Sequence, residues 1–390
     1  MHSLHAELLA LVLLVPLIGI LHELGHAAAA PLASYRVTSL GLGLGKPIWR
    51  RVNLRGQVLW LGRWPLAGGA CVAIPGSLAA RPTLYHLGGL AMQALLALAL
   101  HPLEDLHWVL ARAETFNLLV LAWNILPWRW HGQASDGWHI VSRLAPGRAQ
   151  MPIMGRRPVL ERLARFEEAV GSPLGSWYAR LGLAWVDVLV GRPERADELL
   201  ALPEPLGLGV EDRGVRALQG YVQVAWHRAS GRGEQALVDA RAWRAKLGSA
   251  VPDISEDLAT ITVAQALVDC AQPAEARRVL ASLAGVTGPI GRESTSILLA
   301  ACLLEDDPAS LRQAAWRLLE RLPGPFFDPA QVVRLLAQAS ERLPDDDPAQ
   351  KRLAREAHRA HTRLLAWAEP ADRASLSARL SAGSGRPAGP

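Results

Sequence analysis

The stretch HELGH at residues 22–26 decides the fold class of this chain, because it lies inside an apolar run from residue 8 to about residue 32. Such a run predicts a membrane-spanning helix, and ionisable side chains at membrane depth are costly and usually functional. Positions i and i+4 of a helix share a face, so His22 and His26 can bind one tetrahedral metal ion together. Glu23 flanks that ion and is placed to take a proton from a water molecule. The sequence therefore predicts a zinc site within a membrane helix.

The composition favours a membrane part joined to a soluble part. Half of the 390 residues are hydrophobic, and the apolar content is concentrated before residue 130. The remainder mixes Arg, Glu, Asp and Ala as soluble helices do. We therefore predict a membrane domain over residues 1–150 and a soluble helical domain over residues 155–374. The net charge of +5 is modest and no long basic tract carries interleaved aromatics, which argues against nucleic acid as a partner.

Three segments are predicted as transmembrane helices, at about residues 8–32, 84–101 and 113–128. The loop before the second segment is basic without acidic residues, the loop before the third is acidic, and the stretch after the third is basic again. By the positive-inside rule, the N-terminus lies outside and the C-terminal domain is cytoplasmic. The prediction is an integral membrane protein of the cell (inner) membrane. A cleaved signal peptide is the alternative for the first segment, although its N-terminal region lacks Lys and Arg.

The predicted topology limits the choice of a third metal ligand. The two histidines lie in the cytoplasmic half of the first helix, and the third helix ends on the same side. After that end the chain reads NILP at residues 124–127 and SDG at residues 135–137. Asp136 is the predicted third ligand, which leaves an open position on the ion for water or substrate. His139, one helical turn further on, is the alternative.

Together these motifs resemble the site-2 protease family of intramembrane zinc metalloproteases. The family pattern combines HExxH in one membrane helix with N-x-x-P and Asp-Gly at a later one. It is matched by His22, Glu23, His26, Asn124, Pro127, Asp136 and Gly137. The resemblance covers about residues 8–145. It implies Zn²⁺ as cofactor and hydrolysis of a peptide bond in or beside a membrane segment of a substrate protein or peptide, with Asn124 supporting the substrate backbone or shaping the helix end.

The first loop carries a second similarity to this family, PLAGG at residues 65–69, which resembles a Pro-Leu-Gly-Gly stretch. Gly68 and Gly69 are therefore candidate supporting residues. Residues 58–61 and 71–74 are predicted as short strands, whose edge could pair with an unfolding substrate by strand addition. An amphipathic hairpin that lies on the membrane is the alternative interpretation.

Two features depart from the family pattern. Family members often carry Gly-Pro-x-x-Asn at the start of the second helix, where this chain has Leu90 and Gln93 after Gly89. The gap between Pro127 and Asp136 is also longer than usual, and it brings His131 and His139 near the proposed ligand. We expect these departures to affect the control of substrate entry or the bending of a helix.

Beyond residue 152 the sequence contains a repeat. Residues 191–196, 231–236 and 271–276 align at intervals of forty residues, with a weaker echo from residue 306. The pattern resembles tetratricopeptide-type helical pairs and predicts an α-solenoid, with a plain helical bundle as the alternative. A solenoid offers a concave surface for a cytoplasmic protein partner, with a simple stabilising role as the alternative. The tail at residues 375–390 is rich in Gly, Ser and Pro and is predicted to be disordered.

The overall prediction is an all-α membrane core of three helices with a small β-rich insertion, followed by a soluble α-helical repeat domain. Its function is intramembrane zinc proteolysis, with the repeats recruiting or regulating. The alternatives are a membrane-anchored helical-repeat scaffold with a vestigial or non-proteolytic zinc site, and a zinc enzyme that hydrolyses another bond.

Overall fold

The computed structural model describes residues 4–53, 56–76, 80–130, 133–144, 156–205, 213–247, 254–305, 307–322 and 326–381. This part of the chain is mostly helical with a small β insertion, as predicted. It forms two compact units. The first comprises Met1–Arg148, Arg162–Ala179 and Glu204–Asp212, and the second comprises Ala149–Glu161, Arg180–Pro203 and Arg213–Pro390. The predicted domain limits near residue 150 stay a prediction.

The first unit begins with a long apolar helix, α1 (Leu4–Leu32), followed after the β insertion by α2 (Pro82–Leu100) and α3 (Trp108–Ile125). Among the described helices, two are long and apolar enough to cross a membrane: Leu4–Leu32, with a mean hydropathy of 2.4, and Pro82–Leu103, with 1.5. The third span stays a prediction. The helix there starts earlier and ends earlier than predicted, and it carries Arg112 and Glu114.

Helices α1 and α2 approach each other closely at a pair of glycines. A Cβ on Gly25 would lie 2.4 Å from the carbonyl oxygen of Gly88, and a Cβ on Gly88 would lie 2.5 Å from that of Gly25. Small residues allow two helix backbones to come this close in a membrane, where packing replaces the hydrophobic effect as the driving force. This crossing holds the two faces that carry the candidate site against each other.

The β insertion consists of two bent strands, β1 (Tyr35–Val52) and β2 (Val58–Pro75). Each folds back on the other, so that Leu40 pairs with Leu59 on one side and with Cys71 on the other. The sheet thus has four rows, and the bend in β1 contains Gly43 at a φ of +90°. A Cβ there would also meet the backbone of Trp64 at 2.7 Å. Both predicted strands, 58–61 and 71–74, lie within β2.

Part of the helical sequence after residue 156 belongs to the first unit. Ser39 Oγ on β1 donates a hydrogen bond to Glu167 Oε1 at 2.8 Å, and the rings of Trp60 and Phe166 are 5.5 Å apart. The helices of this stretch are α5 (Arg157–Val170) and α6 (Pro173–Val190). Residues 162–179 therefore pack on the β insertion, although their composition resembles that of a soluble domain.

A short hairpin connects α3 to α4 (Asp136–Leu144). Its strands are β3 (Arg129–Trp130) and β4 (Gln133–Ala134), which pair with Arg129 opposite Ala134. Pairing of these two strands returns the chain to the end of α3, where α4 begins. His131 lies outside the described residues.

The second unit is built of helices. They are the beginning of α5, the end of α6, and α7 (Pro193–Leu200), α8 (Arg213–Ala229), α9 (Gly233–Leu247), α10 (Ile254–Asp269), α11 (Pro273–Ala281), α12 (Gly288–Leu304), α13 (Pro308–Arg321), α14 (Pro329–Arg342), α15 (Pro348–Trp367) and α16 (Arg373–Ser381). Buried ion pairs join distant parts of it: Arg157 binds Asp187 at 2.6 Å and Asp372 at 2.8 Å.

The forty-residue repeat corresponds to one recurring turn. At each copy a helix ends, a single residue adopts a left-handed conformation, and the next helix begins two positions later. The left-handed residues are Gly191, Gly231 and Ala271, with φ values of +84°, +72° and +54°. The backbone hydrogen bonds of these turns are those of a Schellman motif. A fully buried alanine follows at the same position of each copy, at Ala196, Ala236 and Ala276. The solenoid itself stays a prediction.

The predicted disordered tail is wrong for its first residues. Residues 375–381 belong to α16, in which Leu376 is fully buried and Leu380 is nearly so. Spaced four apart, the two leucines pack on one face against Val186, Leu189 and Leu364. The polar composition of the segment concealed this pair, whose burial stabilises the helix. The rest of the tail, 382–390, lies outside the described residues.

Candidate metal centre

Three predicted ligands converge at the junction of α1, α2 and α4. His22 Nε2 lies 3.1 Å from Asp136 Oδ2, and His26 Nε2 lies 3.2 Å from the same oxygen. The two Nε2 atoms are 3.1 Å apart. All three residues are buried. The donor atoms thus form a nearly equilateral triangle, although Asp136 is far from the histidines in sequence.

This triangle fits a tetrahedral zinc ion. With zinc–ligand distances of about 2.0–2.1 Å, two ligands of a tetrahedron are separated by about 3.3 Å. The separations of 3.1–3.2 Å between the donor atoms are close to that value. Two imidazole nitrogens and one carboxylate oxygen are also the donor set of catalytic zinc sites, in which the fourth position stays open.

Glycine makes room for the imidazoles on the facing helix. A Cβ on Gly89 of α2 would lie 2.5 Å from His26 Nε2 and 2.6 Å from His22 Cε1. Any other residue would therefore occupy the space in which the two rings and an ion meet. Gly89 was first noted as the glycine of the motif at the start of the second helix. Its close approach to both histidines is seen in the fold itself.

The first turn of α4 positions Asp136. Ser135 precedes it and caps the helix: its Oγ accepts a hydrogen bond from Trp138 N at 3.1 Å and donates one to Leu126 O at 2.5 Å. Gly137 follows, and a Cβ there would lie 1.9 Å from the carbonyl oxygen of Ile125. Gly137 thus lets α4 press against the end of α3, which brings Asp136 to the histidines.

The other oxygen of Asp136 contacts a third histidine. His86 Nδ1 lies 2.8 Å from Asp136 Oδ1. Burial would raise the pKa of Asp136, but hydrogen bonds with His22, His26 and His86 hold that pKa well below its usual value. The carboxylate is therefore ionised, as a metal ligand must be.

The second nitrogen of each ligand histidine also has a partner. His22 Nδ1 lies 3.1 Å from Gln93 Oε1, and His26 Nδ1 lies 2.9 Å from the carbonyl oxygen of Tyr85. Both partners are hydrogen-bond acceptors, so each Nδ1 carries the proton and each Nε2 presents its lone pair to the centre. Asn117 of α3 supports this arrangement by donating from Nδ2 to Gln93 O at 2.8 Å.

Glu23 lies beside the centre and against the β insertion. A Cβ on Gly69 would lie 2.8 Å from Glu23 Cγ and 3.5 Å from its Oε1. The backbone of β2 thus passes directly over the Glu23 side chain. Gly68 has a φ of +107° and open space around its Cα. Both candidate glycines therefore lie where the strand bends past the acidic residue.

The remaining predicted residues are less central. Asn124 lies on the last turn of α3 and is half-buried, and Pro127 is exposed just beyond that helix. The ring of His139 stacks on His86 with centroids 4.3 Å apart. Among the described residues the ligand cluster consists of His22, His26 and Asp136, which favours Asp136 over His139.

Tyr85, His86 and Gln93 escaped the sequence interpretation. Gln93 was noted as a departure from the family motif, yet it is fully buried and hydrogen-bonded to a ligand histidine. A polar residue within an apolar helix is itself a signal of function. Together with Gly89, these residues mark one face of α2.

A second group of possible ligands lies near the other end of α2. His101, Glu104 and Glu114 bring their donor atoms within 4.8 Å of one another. His101 Nδ1 is 3.1 Å from Glu114 Oε1, and the His101 side chain is largely exposed. Exposure of His101 distinguishes this group from the first, whose three residues are all buried.

Comparison with known protein families finds a match in the N-terminal part of the chain. Residues 9–99 match the model of peptidase family M50. No curated protein and no solved structure matches the chain. The matched segment contains most of α1, the β insertion and nearly all of α2, and hence both histidines and Glu23. Residues 9–99 of this chain are therefore similar to peptidase family M50, the site-2 protease family.

Proposed function

We propose that this protein is an intramembrane zinc metalloprotease that hydrolyses a peptide bond in or beside a membrane segment of its substrate. The observation that carries the proposal is the convergence of His22, His26 and Asp136 beside Glu23. The match of residues 9–99 to a peptidase family model and two helices long and apolar enough to span a membrane support the same assignment.

The residues of the centre divide the reaction between them. When bound, Zn²⁺ supplies a Lewis acid that polarises the scissile carbonyl and acidifies water. Glu23 takes a proton from the attacking water while the water oxygen bonds to the scissile carbonyl carbon. Glu23 then gives that proton to the leaving nitrogen as the C–N bond breaks. His86 and Gln93 hold the ligands in place for this step, through the contacts described above.

The edge of the β insertion is the proposed substrate site. Residues 69–74 of β2 pair with β1 on one side, and no strand among the described residues pairs with their other side. Backbone N–H and C=O groups on such an edge can add an extended peptide as a further strand. Because Gly69 lies against Glu23, a peptide paired there would pass beside the centre.

The surroundings of the catalytic unit complete the proposal. The charge distribution of the loops supports an integral membrane protein of the cell membrane with its N-terminus outside. The helical unit would then lie in the cytoplasm, where its repeated helical pairs could recruit a partner protein or regulate proteolysis. Asn124, Pro127 and Gly137 are proposed to shape the end of α3 on the substrate side.

Zinc content tests the proposal directly. The detergent-purified full-length protein is expected to hold about one zinc per chain, by the stoichiometry of a single tetrahedral site. His26→Ala and Asp136→Ala are each expected to lose it, whereas His358→Ala, at an exposed position in α15, should retain it. Loss in the His26 variant alone would move the third ligand elsewhere. Absence of zinc from metal-replete wild type would overturn the protease and favour a scaffold.

A further inference from the structure

A cavity of about 620 Å³ lies within the helical unit. Its wall is formed by residues of α6, α7, α8, α10, α14 and α16 and of the turns next to α6 and α14, all from the second unit. Small-molecule sites typically have volumes of about 300–1,000 Å³. The cavity is therefore large enough for a small organic molecule, and it is separate from the metal centre.

Charged groups in the wall are unequal in number. Arg228, Arg334 and Arg379 line the cavity, as do Asp269 and Asp328. Each aspartate already binds one arginine: Arg228 pairs with Asp269, and Arg379 Nη2 lies 2.6 Å from Asp328 Oδ2. These pairs leave the guanidinium of Arg334 as the surplus positive charge.

Arg334 also has an unsatisfied donor. Its Nε is buried and has no hydrogen-bond partner among the described residues. A buried donor without a partner costs about 1–3 kcal/mol, and more if it is charged. Burial is the main factor that lowers the pKa of Arg334. Asp328 and Asp269 raise that pKa, whereas the nearby Arg379 and Arg228 lower it further. The folded protein therefore carries a positive group that its own residues compensate incompletely.

Apolar side chains form another part of the wall. Val188, Leu189, Ala225 and Ala378 contribute hydrocarbon surface close to the arginines. Charged groups beside hydrocarbon surface in a concave site can orient a small ligand by its charged end. Guanidinium groups match carboxylate and phosphate oxygens in geometry as well as in charge.

We propose that this cavity binds a small organic anion. Arg334 donates charge-assisted hydrogen bonds to its carboxylate or phosphate group, and the apolar wall receives its hydrocarbon part. The assignment is independent of the proposed proteolysis, because no residue of the metal centre takes part in it.

Thermal unfolding of the full-length protein in detergent tests this site, since a ligand that binds the folded state raises the melting temperature in a saturable way. The probes are butyrate, inorganic phosphate and the neutral butyramide, compared at constant ionic strength. Butyrate or phosphate is expected to raise the melting temperature of wild type, and the two anions distinguish a carboxylate site from a phosphate site. Butyramide should have no such effect.

Arg334→Gln is the decisive variant, with Arg359→Gln at an exposed position of α15 as the matched control. We expect Arg334→Gln to weaken anion binding by about tenfold or more, which corresponds to loss of a charge-assisted hydrogen bond. Without ligand it should melt at the same temperature as wild type or higher, because a poorly compensated charge is gone. Arg359→Gln should bind as wild type does.

Several results would overturn the site. An equal anion effect in Arg334→Gln would place the binding elsewhere, including at the metal centre, which that variant retains. An equal effect of butyramide would remove the role of charge, and the absence of a saturable effect of either anion would remove the ligand. A clearly lower melting temperature of ligand-free Arg334→Gln would show that Arg334 serves the fold instead.

Discussion

Asp136 is shared between two sets of histidines: its Oδ2 faces His22 and His26, while its Oδ1 lies 2.8 Å from Nδ1 of His86. A carboxylate held in this way offers one oxygen to a metal ion and cannot turn its second oxygen toward it. The geometry therefore favours three single-atom ligands and an open fourth position, as in catalytic zinc sites.

His86→Ala is expected to lower zinc affinity about 10–100-fold, the usual effect of removing a partner that orients a ligand. The change leaves all three ligands in place but frees the carboxylate of Asp136 to rotate. Competition with a chelator measures the affinity. His358→Ala is the control, and an affinity unchanged in His86→Ala would contradict the positioning role.

Gly89→Ala is expected to abolish zinc binding, because the new Cβ would lie 2.5 Å from His26 Nε2. Gly19→Ala provides a matched control on α1, since its Cβ would make only an ordinary contact at 3.7 Å with Leu42 Cδ2. Metal analysis of both purified variants decides the matter. Full zinc occupancy in Gly89→Ala would mean that α2 lies further from the two histidines than the close approach of Gly89 indicates.

Glu23→Gln is expected to keep zinc and to lose proteolysis by about a hundredfold or more, the contribution of a general base. The amide is nearly the same size as the carboxylate but cannot accept the proton. Cleavage of a membrane substrate and metal content are measured on the same preparation. Glu194→Gln, at an exposed site on α7, should behave as wild type. Retained cleavage in the Glu23 variant would exclude this residue as the base.

The stability of the helical unit is expected to fall as the pH rises from about 5 to about 7. Burial raises the pKa of Glu293 on α12 from 4.5 to about 7. Between these pH values the folded state binds more protons than the unfolded chain, so the free energy of unfolding decreases with rising pH. Below 4.5 both states are protonated at this site and the penalty is absent.

Glu293→Gln should remove this dependence and be more stable than wild type at pH 8. The glutamine oxygen can still accept the hydrogen bond from Phe327 N, which reaches Glu293 Oε2 at 3.1 Å. Urea unfolding followed by circular dichroism at pH 5 and pH 8 measures the effect. Glu320→Gln, exposed on α13, is the control. Equal pH dependence in wild type and the Glu293 variant would assign it to other groups.

Leu376→Ala is expected to destabilise the helical unit by about 2–5 kcal/mol, as for other fully buried leucines. The substitution leaves a cavity against Val186 and Leu364. Val238→Ala, at a largely exposed position, should have little effect. Urea unfolding compares the two. A negligible effect of Leu376→Ala would contradict the burial of this leucine and would support the disorder predicted from the sequence.

Site residues that are close to one another in the sequence could be predicted, whereas most of those on distant elements could not. His22, Glu23 and His26 lie within one helical turn of one another, so their arrangement follows from helix geometry alone. Asp136 could be predicted only by combining the membrane topology with the end of the third helix. His86, Gln93 and Tyr85 lie on another helix without a recognised motif, and their contacts depend on how α1 and α2 cross.

The fold divides in a similar way. Apolar runs and turn residues predicted the long helices, the two strands and the forty-residue turns. The double pairing of Leu40 with Leu59 and Cys71 was not predictable, since it depends on bends within both strands. Burial of Leu376 was not predictable either. Two leucines in a polar segment do not indicate a buried helix unless the surface against which they pack is known.

Sequence alone determined which side chains are available to the candidate site and where the turns recur: an HExxH pattern in an apolar helix, an Asp-Gly motif at a later helix end, and a forty-residue spacing of turns beyond. These are local properties, set by residue spacing and hydrophobicity. Tertiary structure decided which distant groups meet. The close crossing at Gly25 and Gly88, the contact of Gly137 with α3 and the surplus charge of Arg334 arise only when packed helices exclude water and bring remote side chains within hydrogen-bond distance.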